Sequence, residues 1–193
     1  SYILTDPVSD LPISIATFDS TLRSAVRLDS DNFKATNTHS GYSYLVTYST
    51  SDGKLTFNYS DLYTAIHMTA PSRVYNMSAP EEVTRSLGTM EGDNARLTVN
   101  GGGNAVRGNG YGGVTINSDD RLTLNDVSSW SGFAGNGITN AGVLDINSDT
   151  VNTTIGETLF NSGTMNLSGA SDTVFESEVT GGGITNVTSG GVE

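Results

Sequence analysis

The sequence predicts an all-β protein in which a parallel β-helix, or solenoid, follows a β-rich N-terminal cap or small domain that also contains short helices. Three observations lead to this fold class. Short apolar segments alternate with polar residues in the period-two pattern of strands. The chain contains 23 Gly, and almost all of them follow residue 80. Similar segments recur after that point at the spacing of solenoid coils.

The composition excludes several classes of function. The chain carries 9 Lys and Arg against 21 Asp and Glu, so its formal net charge is -12. An acidic surface repels phosphate backbones and anionic lipid headgroups, and we therefore expect neither nucleic-acid binding nor membrane insertion. The chain has no Cys, which excludes disulfides, thiolate metal sites and Cys nucleophiles. We expect no cofactor and no metal.

The composition changes sharply near residue 80. All four Pro and both Lys lie at or before that point, and no Lys or Arg follows Arg121. A shift of this kind is typical of a domain boundary. We therefore expect an N-terminal β-rich cap or domain over residues 1–88 and three to five solenoid coils over residues 89–193.

The N-terminal region contains a predicted hairpin across residues 42–59. Tyr42–Tyr48 and Lys54–Tyr59 alternate and are rich in β-forming residues, and Ser51-Asp52-Gly53 separates them. Asp-Gly provides the positive φ values that a tight hairpin turn requires.

Two other segments of this region have helical features. Phe18, Leu22 and Ala25 fall at helical spacing, which predicts a short helix over residues 19–28. Residues 61–68 fit either a short helix or an edge strand.

The second region repeats itself. The similar segments are Arg96–Asn100 with Arg121–Asn125, Gly113–Asp119 with Gly142–Asp149, and Gly137–Asn140 with Gly183–Asn186. Asn residues end or interrupt the apolar segments at positions 100, 125, 147, 166 and 186. No such segment can bury its apolar face alone, whereas stacked coils form one continuous core and align their Asn side chains into ladders. An antiparallel sandwich is the structural alternative, but it does not require the same residue at the same corner.

Residues 95–187 resemble the passenger repeats of bacterial autotransporters. The resemblance rests on the phrases ARLTVNGGGNAVRGNG, GGVTINSDDRLTLNDV, FAGNGITNAGVLDIN and LFNSGTMNLSG. It implies a right-handed parallel β-helix that is secreted and displayed on the cell surface by an outer-membrane barrel, as in adhesins that contribute to virulence. Residues 1–90 carry no signature of this family, and no Gly-Asp-Ser-Gly motif of its serine-protease members is present.

We therefore expect an extracellular adhesin or structural passenger that binds a host or neighbouring-cell protein or glycan and is not an enzyme. One alternative is a self-assembling extracellular or phage-fibre subunit, because an uncapped coil exposes a strand edge. A second alternative is a glycan-active enzyme with paired carboxylates. The candidate carboxylates for that reaction are Asp119, Asp120, Asp145, Asp149 and Asp172.

Tyrosines of the N-terminal region are the candidate ligand-binding residues, because a Tyr ring stacks on a ligand and its hydroxyl forms hydrogen bonds. They are Tyr42, Tyr44, Tyr48, Tyr59 and Tyr63. The alternative is a sheet face packed against the end of the solenoid. The later aromatic residues are expected in the core or in caps: Trp130, Phe133, Phe160 and Phe175. We expect His39 in a loop and His67 in a structural role.

Overall fold

The computed structural model describes residues 13–14, 32–36, 43–48, 54–68, 71–189 and 191–192. The chain divides into two compact units, residues 1–64 and residues 65–193. The predicted helix over residues 19–28 lies outside the described residues.

The first unit contains a four-stranded antiparallel sheet in the order β1-β4-β3-β2. Its strands are β1 (Ile13–Ser14), β2 (Asn32–Thr36), β3 (Ser43–Tyr48) and β4 (Lys54–Tyr59). Strands β3 and β4 pair antiparallel, with Tyr44 opposite Tyr59 and Tyr48 opposite Leu55. This register confirms that the two predicted hairpin strands pair, while the turn between them lies outside the described residues.

A short helix, α1 (Leu62–His67), follows β4 and spans the boundary between the units. Asp61 caps it, because its Oδ1 accepts a hydrogen bond from the backbone nitrogen of Thr64 at 2.7 Å. Of the two structures that the sequence allowed for residues 61–68, the helix is the one observed.

The second unit is a parallel β-helix with three sheets, which confirms the predicted solenoid. The first sheet contains β5 (Ser72–Asn76), β8 (Arg96–Asn100), β11 (Arg121–Asn125), β14 (Val143–Asn147), β17 (Thr164–Ser168) and β20 (Ile184–Val187). The second contains β6 (Glu81–Glu82), β9 (Ala105–Arg107), β12 (Ser129–Ser131), β15 (Thr153–Ile155) and β18 (Thr173–Phe175). The third contains β7 (Gly88–Thr89), β10 (Gly112–Ile116), β13 (Ala134–Asn140), β16 (Leu159–Asn161) and β19 (Val179–Thr180).

Each coil therefore contributes one strand to each sheet. The coils stack in register except for a shift between Gly112 and Val114 where β10 pairs with β13. Equivalent residues of the first sheet are separated by 24, 25, 22, 21 and 20 residues along the chain. The predicted equivalence of Arg96 and Arg121 is confirmed, because they are register partners in β8 and β11. The parallel stack begins at β5, so the expected domain boundary between residues 88 and 89 falls within the first coil, at β7.

Two of the predicted repeats join segments that are not equivalent. Gly113–Ile116 lies in the third sheet, whereas its predicted counterpart after Gly142 lies in the first sheet. The segments beginning at Gly137 and Gly183 are likewise in the third and the first sheet. These pairs look alike because strands of different sheets share one pattern, a Gly corner followed by an alternating segment.

The Asn series also divides into two register positions. Asn100, Asn125 and Asn147 are equivalent, but Asn166 is the register partner of Asp145 and Asn186 is the partner of Asn166. The last two Asn therefore lie two residues earlier in their strands than the first three.

The core consists of inward-pointing columns in which apolar side chains stack on their equivalents. The columns include Leu97–Leu122–Leu144–Met165, Val99–Leu124–Ile146–Leu167, Val106–Trp130–Ile155 and Val114–Ile138–Leu159, all essentially inaccessible to solvent. Stacking lets short strands bury a continuous apolar surface that none of them could bury alone.

The start of the second unit covers the first coil. The buried guanidinium of Arg73 in β5 donates hydrogen bonds from Nη1 to the carbonyl oxygens of Ala65 and Ile66, both at 2.8 Å, and to that of Met68. Nη2 donates to the carbonyl of Glu91 at 2.9 Å. The last carbonyls of a helix have no intrahelical partner, so a buried arginine at this place satisfies groups that would otherwise lose water without compensation.

The close approach of two coils makes one glycine position sensitive to substitution. Gly169 has a φ of +122°, and a Cβ placed there would lie 2.2 Å from the carbonyl oxygen of Ser148 in the coil below. We expect Gly169→Ala to lower the free energy of unfolding by about 2 kcal/mol or more, because both the backbone conformation and the contact become unfavourable.

Urea denaturation followed by circular dichroism measures this change. The matched control is Gly182→Ala, because Gly182 has no heavy atom within 4 Å of an added Cβ. We expect the control to change the free energy of unfolding by less than about 0.5 kcal/mol. Equal effects of the two substitutions would contradict the tight contact between coils.

Candidate functional site

The outward side of the first sheet carries a continuous row of side-chain hydrogen bonds. Asn76, Asn100, Asn125 and Asn147 occupy one register position in successive strands. Each later Asn donates from Nδ2 to the Oδ1 of the preceding one, at 2.7, 2.8 and 2.8 Å, and Ser168 Oγ donates to Asn147 Oδ1 at 2.6 Å. We call this row the amide ladder. It is the ladder that stacked Asn side chains were expected to form.

A second row lies two residues earlier in the same strands and is centred on Asp145, which is buried. Asp145 Oδ1 accepts hydrogen bonds from Arg121 Nη2 at 3.0 Å and from Asn166 Nδ2 at 2.7 Å. Its Oδ2 accepts from Arg121 Nε and from Thr123 Oγ1. Asn186 continues the row by donating to Asn166 Oδ1 at 2.8 Å. We call this row the Asp145 network.

The charges of the Asp145 network stabilise each other. Burial raises the pKa of Asp145, but hydrogen bonds from Arg121 and Asn166 lower it by more, and the pKa lies below the ordinary value. The hydrogen bond to Asp145 in turn raises the pKa of Arg121. Both groups therefore stay charged at neutral pH, and together with Asn166 the pair connects three successive coils.

The last described coil of the solenoid exposes part of its inward-facing surface. Strands β19 and β20 are the last strands of the third and first sheets, so each has an edge with no partner strand among the described residues. Val179, Val187 and Val192 occupy inward positions there and are 42%, 52% and 46% exposed. Their equivalents one coil below, such as Leu159 and Leu167, are buried. We call the three valines and these two edges the open end.

The predicted tyrosines lie in the first unit, and three of them belong to strands of its sheet. Tyr44 of β3 is the register partner of Tyr59 of β4, and Tyr48 lies four residues further along β3. Residues two and four apart share a side of a strand, so these three positions belong to one side of the sheet. Tyr63 lies in α1 and is partly exposed. Tyr42 lies outside the described residues.

The later aromatic residues do not all have the expected position. Trp130 and Phe133 are buried and stacked, with ring centroids 5.3 Å apart, and Phe175 is partly buried at an inward position, as expected. The expectation is wrong for Phe160, which points outward from β16 and is 38% exposed. An isolated aromatic does not show which side of its strand faces the core, because that depends on the register of the neighbouring coils.

Of the two histidines, His67 lies near a single carboxylate, with its Nδ1 3.9 Å from Oε1 of Glu91. His67 contacts the carbonyl oxygen of Leu87 through Nε2 at 2.6 Å, which agrees with a structural role, and His39 lies outside the described residues. Asp120 is buried and accepts hydrogen bonds from the backbone nitrogen of Ala95 and from Asn117. In the described ranges, no group of three or more His, Asp or Glu is arranged to hold a metal ion.

The remaining candidate carboxylates lie at turns. Asp119 and Asp149 are exposed at corners between strands, and Asp172 accepts a hydrogen bond from the backbone nitrogen of Gly191 at 2.9 Å. Three of the candidate catalytic carboxylates, Asp120, Asp145 and Asp172, therefore form hydrogen bonds that join coils.

No known protein family, curated protein or solved structure matches this chain. The resemblance to autotransporter passengers therefore stays a prediction. Among the described residues, no helix has the length and apolar content needed to cross a bilayer.

Sequence reasoning missed the Asp145 network and the role of Arg73. An alignment of RLTLN at 121–125 with VLDIN at 143–147 places Asp145 beside Thr123, which is the signal that was available. Arg73 had no comparable signal, because the carbonyl groups that it binds belong to a helix end rather than to a repeat.

The Asp145 network makes stability depend on pH. Because the folded pKa of Asp145 lies below the ordinary value, its carboxylate stabilises the fold above about pH 4, and this contribution is lost as the pH falls through the folded pKa. We expect Asp145→Asn to lower the free energy of unfolding by about 2 kcal/mol at pH 7, and we expect the difference from wild type to shrink below about pH 4.

Urea denaturation at pH 7 and at about pH 3 measures both effects. Asp119→Asn is the matched control, since it removes the same charge from an exposed turn. A difference between Asp145→Asn and wild type that is equal at both pH values would contradict the role of the charged pair.

Proposed function

We propose that this chain is a passenger segment of an extracellular bacterial surface protein of the autotransporter-adhesin type, and that it binds a protein or glycan on a host or neighbouring cell. The β-solenoid supports this proposal by providing a rigid repeating surface. The resemblance of residues 95–187 to passenger repeats, the acidic surface and the absence of Cys agree with a secreted protein that crosses membranes unfolded.

The observation that carries the proposal is the ordering of outward polar side chains. In the amide ladder and the Asp145 network, each side chain is held by equivalents in adjacent coils. Side chains that are already ordered lose little conformational entropy when a ligand binds, so a surface of this kind is suited to recognition.

Binding rather than turnover is favoured by the state of the carboxylates. Asp145 is paired with Arg121, and Asp120 is buried against a backbone nitrogen. A glycosidase needs one carboxyl group that releases a proton near neutral pH and a second that faces it across the substrate. The lowered pKa of Asp145 is opposite to what a general acid requires.

We expect the fluorescently labelled full chain to bind saturably to at least one epithelial or bacterial cell type. Flow cytometry with unlabelled chain as competitor measures the binding, and heat-unfolded chain is the control. Incubation of the chain with polysaccharides should release neither unsaturated products nor new reducing ends. The absence of saturable binding, or the appearance of such products, would contradict the proposal.

A second candidate function, self-assembly, is favoured by the open end. A strand of another chain can pair with an unpaired strand edge and cover the exposed apolar side chains beside it. The opposite end of the stack is covered by residues 65–68. Two copies would therefore meet through their open ends.

For this second candidate we expect the molar mass from size-exclusion chromatography with light scattering to rise with concentration. Val187→Lys should abolish the rise, because two buried ammonium groups would face each other. Val74→Lys is the matched control, since Val74 is exposed in the first strand of the stack. A monomer at all concentrations would exclude self-assembly and leave the adhesin proposal unaffected.

A further inference from the structure

The outward side of the third sheet carries a row of side chains whose chemistry differs from that of the amide ladder and the Asp145 network. Thr89, Thr115, Thr139, Phe160 and Thr180 occupy one register position in the five successive strands. Adjacent strands are separated by about 4.8 Å. The row is therefore a line of hydroxyl groups interrupted by one exposed aromatic ring.

The hydroxyl groups of this row are available to a ligand. In the described part of the chain, the hydroxyls of Thr139 and Thr180 form no hydrogen bond with another protein group, although both residues are partly exposed. Some Thr hydroxyls elsewhere in the solenoid are engaged, as Thr123 is with Asp145 and Thr153 is with Ser148.

The side chain of Phe160 is exposed and does not contribute to the apolar core. A single exposed apolar residue is common on protein surfaces and by itself indicates nothing. Here, however, the ring lies between two unengaged hydroxyl groups on a regular sheet, and Glu178, which is exposed, immediately precedes β19. The groups that recognise a sugar are an aromatic ring, hydroxyl groups and a carboxylate. This part of the third sheet contains all three.

We propose that Thr139, Phe160, Thr180 and Glu178 form a binding site for a neutral saccharide. The C–H face of a sugar ring packs on the Phe160 ring, while the sugar hydroxyls exchange hydrogen bonds with Thr139 and Thr180. Glu178 accepts a charge-assisted hydrogen bond from a sugar hydroxyl. This proposal rests on the proposed binding function and specifies its ligand class.

Charge selects neutral saccharides over acidic ones. The whole chain has a net charge of -12 and no Lys or Arg after Arg121, and Glu176 and Glu178 are exposed near the row. A uronic acid or sulfated sugar brought to this place meets only like charges, which lowers both its affinity and its association rate.

The test is a glycan array of neutral and acidic oligosaccharides probed with the full chain, followed by calorimetric titration with the neutral oligosaccharide that gives the strongest signal. We expect Phe160→Ala to weaken that binding by about tenfold, because the ring contact is lost. Tyr111→Ala is the matched control, since Tyr111 is 41% exposed outside this row. We expect it to bind within about twofold of wild type. Both variants should keep the wild-type melting temperature.

The outcomes separate this proposal from the broader one. Equal affinities of the Phe160→Ala and Tyr111→Ala variants, binding of acidic glycans alone, or no signal on the array would overturn the saccharide site. If cell binding persists in Phe160→Ala while no glycan binds, the adhesin proposal stands and the saccharide site does not. If the wild-type chain binds neither cells nor glycans, both proposals fail.

Discussion

The parallel, in-register pairing of each coil with the next is the constraint on which the second unit depends. It places like residues above like, so that Leu97, Leu122 and Leu144 form a column inside while Asn100, Asn125 and Asn147 form a ladder outside. The same pairing that buries apolar surface therefore also satisfies polar side chains, and neither arrangement survives a shift of register by one residue. Small residues at the corners permit the close approach, as Gly169 does above Ser148.

The first and the last described coils of the stack differ in how their inward-facing groups are covered. At the first coil, Arg73 binds the carbonyl groups at the end of α1, so the helix terminus and the buried cation satisfy each other. At the last coil, inward-facing valines are exposed and two strand edges have no partner among the described residues. The first and last described coils therefore differ in how far their inward-facing groups are covered.

The three sides of the solenoid also differ in what their polar groups do. The first sheet orders its amide and carboxylate groups through hydrogen bonds between coils, and Asp145 and Arg121 are paired there. On the third sheet the threonines beside Phe160 have no such task.

The sequence by itself determined the solenoid, its period and the existence of amide ladders, because alternation, corner glycines and recurring Asn are local features that strand stacking requires. It also paired the strands of the N-terminal hairpin. Only the tertiary structure decided which repeats are equivalent, which side of β16 carries Phe160, and that Asp145 joins Arg121. The physical reason is that similar corner-and-strand patterns occur in different sheets, and a side chain acquires its neighbours only when the lengths of whole coils set the register.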